Sequence, residues 1–394
     1  MEPIYLDYNA TTPIALEVAD AMAPYLYEHF GNPSSNHPYG VVAKRAVESA
    51  RAQVATLLGC KTTEVVFTSG GTESDNYAIT GVAFARHKQG NHIITSAVEH
   101  PAVMEVCRWL ETQGFRVTVL PVDKYGHVDP ADLERAIIPD TILVTVMHAN
   151  NEVGTIEPIA ELARITHHFG ALMHTDAAQS VGKIPVNVDS LGVNLLTVAG
   201  HKLYAPKGIG ALYVRYGTEL AKYLHGAEQE GGRRPGTENV LEIVGLGKAC
   251  EVANRDLEKN MAHFRTSQDR LHQSLVRELG NDTVKLNGHP EDRLPNTLSL
   301  SFHGIEANTL LEEIGEKVAA SAGAACHADN IDISAVLEAM QVPAEWAMGT
   351  IRFSMGRSTT NEEIDRAVGI VSETMRRLQP KGNLGIAHSM PSTV

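Results

Sequence analysis

Cysteine is scarce in this chain. Cys60, Cys107, Cys250 and Cys326 are the four in 394 residues, and no two form a C-x-x-C pair. That spacing excludes a zinc knuckle and argues against a disulfide scaffold, and it fits a reducing cytoplasm. Positive charge is outnumbered as well: 33 Lys and Arg face 47 Asp and Glu, a formal net charge of −14. Nucleic-acid binders normally show the opposite balance, so a phosphate backbone is not an expected partner. No apolar run approaches the roughly 20 residues of a membrane span. The opening residues MEPIYLDYNATTP carry an acid and lead directly into structure, without the pattern of a signal peptide. Eighteen histidines include no H-E-x-x-H or comparable ligand set, so no metal site is expected. There is no internal repeat.

What is present is an ordinary globular composition, 43% apolar and 20% charged, in a chain long enough for two domains. Helical spacing over residues 15–29 and 38–58 precedes a regular alternation of strands and helices. Strands are expected at Glu64–Thr68, His92–Ser96, Arg116–Val122, Thr141–Met147, 171–175, 195–199 and 210–215. Helices between them predict a mainly parallel sheet covered on both faces. The pattern changes after Thr237. A long helix, in one piece or two, spans about 238–279, and strands are expected at Thr283–Leu286 and Asn296–Phe302. A helix at 307–316, a strand at 317–321, a small-residue loop reaching Cys326, a helix near 334–340, a strand at Thr350–Met355 and a helix at 361–378 complete the chain. The expectation is an α/β protein with a large domain over 15–257. Residues 1–14 and 258–379 make a smaller α+β domain, and 380–394 a mobile tail rich in Gly, Ser and Pro.

The stretch Ala171–Lys202 carries the chemistry. Its first apolar run ends in His174-Thr175-Asp176, and its second, 195–199, ends in Gly200-His201-Lys202. Open parallel sheets place ligands at such carboxyl edges. An acid at one edge and a lysine at the next suit pyridoxal phosphate, which needs a Schiff-base lysine and an acidic partner for its ring nitrogen. Taken alone, the stretch reads equally well as a core strand with a solvated Asp and a surface Lys. Four further groups share this ambiguity. Ser69-Gly70-Gly71-Thr72, between a strand and a helix, is a phosphate cup or a tight turn. His100, just past a strand, stacks on a flat cofactor or merely caps a helix. Cys326, among small residues and beside His327, is a reactive thiol or an incidental one. Arg352, charged within an apolar strand, holds a carboxylate substrate or a structural partner.

Together these residues resemble the cysteine desulfurase family of the NifS/IscS type, within the class V aminotransferases, and its relative selenocysteine lyase. The motifs run in order from YLDYNATTP through FGNPSS, FTSGGTESDN, ITSAVEHPAV, HANNEVGT, HTDAAQSVGK, AGHKLYAPKGIGALYVR and RRPGTENV to RFSMGRSTTNEEID, nearly the whole chain. The resemblance implies a fold-type-I pyridoxal 5'-phosphate enzyme, a cytoplasmic homodimer that converts L-cysteine to L-alanine. Lys202 matches the Schiff-base lysine, Asp176 the ring-nitrogen partner and His100 the stacking histidine. Asn151 and Gln179 match residues near the ring's phenolic oxygen. Gly71, Thr72 and His201 match the phosphate cup, with Thr237 reaching it from the other subunit. Asn32 and Arg352 match the substrate carboxylate site, and Cys326 the cysteine that takes sulfur as a persulfide, for passage to an acceptor or scaffold protein of iron–sulfur cluster or thio-cofactor assembly.

Three departures stand out. Many members carry Ser where Ala199 stands. The usual glycine-rich run is altered over residues 226–231, which bears on the dimer edge. Ala325-Cys326-His327-Ala328 replaces the common A-C-T-S and is similar to selenocysteine lyases, leaving L-selenocysteine as the alternative substrate. An aminotransferase-like enzyme without use of Cys326, or a non-catalytic assembly scaffold, are the remaining readings.

Overall fold

A computed structural model of the chain describes the backbone of residues 2–327 and 330–378, with side chains 324–332 outside the description. The N-terminal strand β1 (Ile4–Tyr5) is followed by β2 (Val65–Thr68), β3 (His92–Ser96), β4 (Arg116–Leu120), β5 (Thr141–Thr145), β6 (Leu172–Asp176), β7 (Leu195–Ala199) and β8 (Gly210–Val214). The last seven make one sheet in the order β2-β8-β7-β6-β5-β3-β4. Strands β7, β6, β5, β3 and β4 are parallel, as the alternation with helices requires. Strand β8 runs against both β7 and β2. The short link between Ala199 and Gly210 explains this, since a parallel return needs a crossover of a dozen or more residues.

Neighbouring residues on these strands feed opposite faces of the sheet. Ile93, Leu143 and Leu195 join one apolar cluster, packed under the helices Gly71–Arg86 and Pro101–Thr112. Ile94, Val144 and Leu196 join the other, under Pro38–Leu58 and Ile159–His168. That is the two-residue period of a strand buried on both sides, and it is why the sequence shows continuous apolar runs there.

The remaining strands are β9 (Val284–Asn287), β10 (Thr297–Phe302), β11 (Val318–Ala319), β12 (Ser321–Ala322), β13 (Ala324–His327), β14 (Asn330–Ile333) and β15 (Thr350–Ser354). An antiparallel sheet β12-β15-β10-β9 shares a second core with Leu271, Leu275, Ile364 and Val371 of two helices. Strand β1 pairs in parallel with β11, which brings the N-terminus to this second core.

The structure departs from the sequence reading at three places and decides a fourth, the long helix left open as one piece or two. Residues 15–29 form two helices, Leu16–Met22 and Pro24–Tyr27, because Pro24 has no N–H with which to continue the first. The helix Val240–Leu279 is a single 40-residue element, and its N-terminal half packs on Pro38–Leu58. Gly247 allows that contact: a Cβ there would lie 2.5 Å from Ala50 Cα. The strand expected at 317–321 divides into β11 and β12, which serve different sheets. The small-residue loop contains a hairpin, β13–β14, with Cys326 opposite Ile331. The tail expected over 380–394 lies outside the described residues. No described helix is long and apolar enough to cross a membrane.

Candidate active site

A cavity of about 310 Å³ opens at the carboxyl edge of the parallel strands. Asp176 ends β6, Lys202 follows β7, the helix Gly71–Arg86 starts just past β2, and His100 follows β3. Arg352 reaches it from β15, and Asn9 and Ala10 from the segment after β1. A larger hollow of about 600 Å³ lies between Arg51 and the 227–233 segment. It mixes exposed charges of both signs and contains none of the residues singled out except neighbours of Asn32 and Thr237, so the chemistry belongs to the smaller cavity.

Lys202 is held by its amine. Nζ donates to the carbonyls of Asn9 and Ala10, the latter at 3.0 Å. Burial, reinforced by Arg352, brings its pKa down to about 8 against the pull of Asp176 and Asp7. A neutral amine, the form that acts as nucleophile or base, is thus accessible near neutral pH. Asp176 is 7% exposed and accepts one hydrogen bond, from the Ala178 N–H at 2.8 Å. Burial raises its pKa, with that N–H and the charges of His100 and Lys202 opposing. Beneath it, Asp75 is buried with Oδ1 lacking a hydrogen-bond partner among the described residues. Burial and the nearby Asp176 push its pKa well above the carboxylate range.

His100 caps the helix Pro101–Thr112. Its Nδ1 accepts from the Ala102 N–H at 3.1 Å, so the neutral ring carries its proton on Nε2. The ring is exposed through the cavity mouth yet surrounded by protein, and desolvation lowers its pKa. His201 meets Thr11 Oγ1 at 3.2 Å and is brought down to about 4 by burial and then by Lys202. Gly71 and Thr72 begin their helix, so their N–H groups have no acceptor inside it.

Arg352 donates to the Asn151 carbonyl at 3.0 Å, to Asp7 Oδ1 at 2.8 Å and to Ser321 Oγ at 3.1 Å, while Nε has no partner among the described residues. The structure thus gathers Gly71, Thr72, His100, Asn151, Asp176, Gln179, His201, Lys202 and Arg352 around one cavity. Asn32 stands outside its lining, exposed, with Oδ1 accepting from Ser34 N at 2.9 Å. Thr237 is exposed and also outside it. The Cys326 side chain lies outside the described residues.

Asn9 and Lys183 are the residues that sequence reasoning passed over. Asn9 is 1% exposed; its Nδ2 donates to Asn151 O at 3.2 Å and Thr297 Oγ1 at 2.8 Å. Its Oδ1 accepts from Lys183 Nζ and Asn296 Nδ2, both at 3.0 Å. One side chain therefore ties the second core to the cavity floor. The only sequence signal was a polar residue interrupting a short apolar segment.

These groups fit pyridoxal phosphate. The Asp176 carboxylate, with one donor from the chain, keeps capacity for a ring N–H. The start of a 16-residue helix offers free N–H groups and partial positive charge to a phosphate. A Cβ at Gly71 would come within 3.3 Å of Ala199 Cβ, so the bare glycine keeps that cradle open. Lys202 supplies the amine for an aldehyde.

Comparison with known proteins agrees. The family model "Aminotransferase class-V" matches residues 4–367. A protein named cysteine desulfurase IscS from Dictyoglomus turgidum is 48% identical over 377 residues, 95% of each chain. Among solved structures, a NifS-like protein superposes with a TM-score of 0.90 at 37% identity, covering 95% of this chain and all 100% of its own. A second, titled SspA in complex with cysteine, has a TM-score of 0.77 at 36% identity, covering 89% of this chain and 98% of its own.

Proposed function

This chain belongs to the class-V aminotransferase family as a pyridoxal phosphate-dependent cysteine desulfurase, and from that premise we propose how its residues divide the work. The observation that carries the assignment is the Lys202 amine, brought down to about 8, in one cavity with a buried Asp176 and the free helix start at Gly71. Gly71, Thr72 and His201 would hold the cofactor's phosphate, and Asp176 would keep its ring nitrogen protonated. His100, Gln179 and Asn151, which line the same cavity, would hold the cofactor's ring. When bound, the cofactor supplies an aldehyde that exchanges amines and an electron-poor ring that accepts the electron pair left by α-proton removal.

Arg352 orients the substrate through its carboxylate, an arrangement suited to a fork of donors. The Lys202 amine takes the α-proton of L-cysteine. The Cys326 thiolate attacks the substrate sulfur; the new S–S bond forms as the Cβ–S bond breaks, that electron pair stays with carbon and Cβ is protonated, and return of the proton from the Lys202 amine to Cα completes alanine. The persulfide then passes to an acceptor of iron–sulfur or thio-cofactor assembly. Cys326 lies on a short two-stranded hairpin, opposite Ile331, and a small element of that kind suits a group that must meet both partners. The homodimer reading rests on Thr237, whose exposed position outside its own cavity leaves it available to a neighbouring subunit. The cytoplasmic reading rests on unpaired Cys60, Cys107 and Cys250. Among the described residues of the site nothing favours selenocysteine over cysteine.

Mass spectrometry after exposure to L-cysteine tests the assignment. One added sulfur on Cys326 is expected in the wild type, and Cys326→Ala should keep the cofactor's visible absorbance and lose persulfide and turnover. Unchanged sulfur release by Cys326→Ala would overturn it.

A further inference from the structure

Lys183 has no part in that chemistry, yet its amine is buried at the cavity floor. It is 5% exposed and does not line the cavity itself. The turns after β6 put it there: Val181 N bonds to Ala177 O and Ile184 N to Ser180 O, and Gly182 at φ +77° reverses the chain. Lys183 Nζ then lies 2.7 Å from Gln179 Oε1 and 3.0 Å from Asn9 Oδ1. Burying an amine is costly unless its hydrogen bonds are met, and these two acceptors take both N–H groups of the neutral amine.

We propose that Lys183 is a positioning residue that acts through Gln179, fixing the side-chain amide so that its nitrogen, and not its oxygen, is offered to the cavity as a donor. The two ends of an amide are alike in shape, so neighbours decide which way it faces. Gln179 Nε2 sits 3.1 Å from the Asn9 carbonyl, which can only accept. The other end faces Lys183, whose amine donates whether protonated or neutral. Asn9 is locked by the same logic, with Nδ2 on the Asn151 carbonyl and Oδ1 toward Lys183. A flipped Gln179 would set oxygen against oxygen at Asn9. Nε2 carries two N–H groups; one serves Asn9 and the second remains for an anionic oxygen on a ring in the cavity. The lysine thereby makes the amide's donor end the stable one. This rests on the reading of Gln179 as a cofactor contact.

The test titrates pyridoxal phosphate into apoprotein of the wild type, Lys183→Met, Gln179→Leu and the double variant, reading dissociation constant and absorbance maximum, with circular dichroism as the folding control. Lys183→Met should weaken binding by about three- to tenfold, the worth of one hydrogen bond, and move the absorbance toward that of Gln179→Leu. In the Gln179→Leu background it should add nothing, since coupled residues are non-additive. A changed Gln179→Leu beside an unchanged Lys183→Met, or additive effects, overturns the role of Lys183 alone. An unchanged Gln179→Leu overturns the cofactor contact and this role with it. Where Lys183→Met does not fold, Lys183→Gln, which keeps an N–H donor, is read instead; a wild-type spectrum is expected, and a spectrum like that of Gln179→Leu overturns the proposal.

Discussion

Replacing Glu230 by alanine should cost this protein a large share of its stability, although Glu230 does not line the cavity. Its side chain is 3% exposed and accepts a two-pronged ion pair from Arg51, with Nη1 and Nη2 both at 2.7 Å. It also accepts the Phe67 backbone N–H at 2.9 Å. The Arg51 guanidinium lies 4.7 Å from the Phe67 ring centroid and donates to the Val65 carbonyl, so it cannot swing out to water without breaking both contacts. Removing one partner of a buried pair costs about 3–5 kcal/mol when the other charge is left stranded; Arg51 Nε keeps Glu48 at 3.3 Å, which places this case at the lower end. The orphaned Phe67 N–H adds about 1 kcal/mol or more. A loss of roughly 4 kcal/mol is expected, against a typical total of about 5–15 kcal/mol. The assay is urea unfolding at fixed protein and cofactor concentrations, because bound ligand and subunits shift the midpoint by mass action. The double variant Arg51→Met with Glu230→Leu should recover much of the loss, since it removes both buried charges at once. A Glu230→Ala cost below about 1 kcal/mol would refute the reasoning, and so would a double variant no more stable than the single.

Two further outcomes follow from the cavity. In cofactor-free protein, acylation of Lys202 should reach half its maximal rate near pH 8, because burial and Arg352 lower the pKa and the reactive neutral amine grows in as pH rises through it. Arg352→Gln should move that midpoint upward; a wild-type midpoint above about 10, the range of a free lysine, would contradict the geometry. Ala199→Ser should place a hydroxyl in the cavity beside Gly71 and tighten pyridoxal phosphate binding by about fivefold, near 1 kcal/mol, as measured by titration of the apoprotein. Unchanged or weaker binding would show that the hydroxyl finds no partner there.

The Glu230 contact lies within the altered 226–231 segment, where the sequence showed only a departure from the family's glycine-rich run. Its anchoring role was invisible because the partners, Arg51 and Phe67, are more than 160 residues away in the chain. Asn9 shows the same limit: its partners come from near 150, 183 and 296–297. Asp176 and Lys202 were legible because each ends a short apolar run, and a strand's end is a local property.

Local physics therefore determined the strand–helix alternation, the carboxyl-edge placement of Asp176, His100 and Lys202, and the helix start at Gly71. Those features follow from apolar runs, turn formers and the period of a strand, all readable within a few residues. Only the tertiary structure decided that β8 reverses, that Arg352 and Asn9 arrive from the second core, that Asn32 and Thr237 stand outside the cavity, and that Lys183 lies beneath Gln179. The arrival of Asn9 and the place of Lys183 depend on which distant residues close the hydrogen bonds of a buried polar group, and no sequence period encodes that choice.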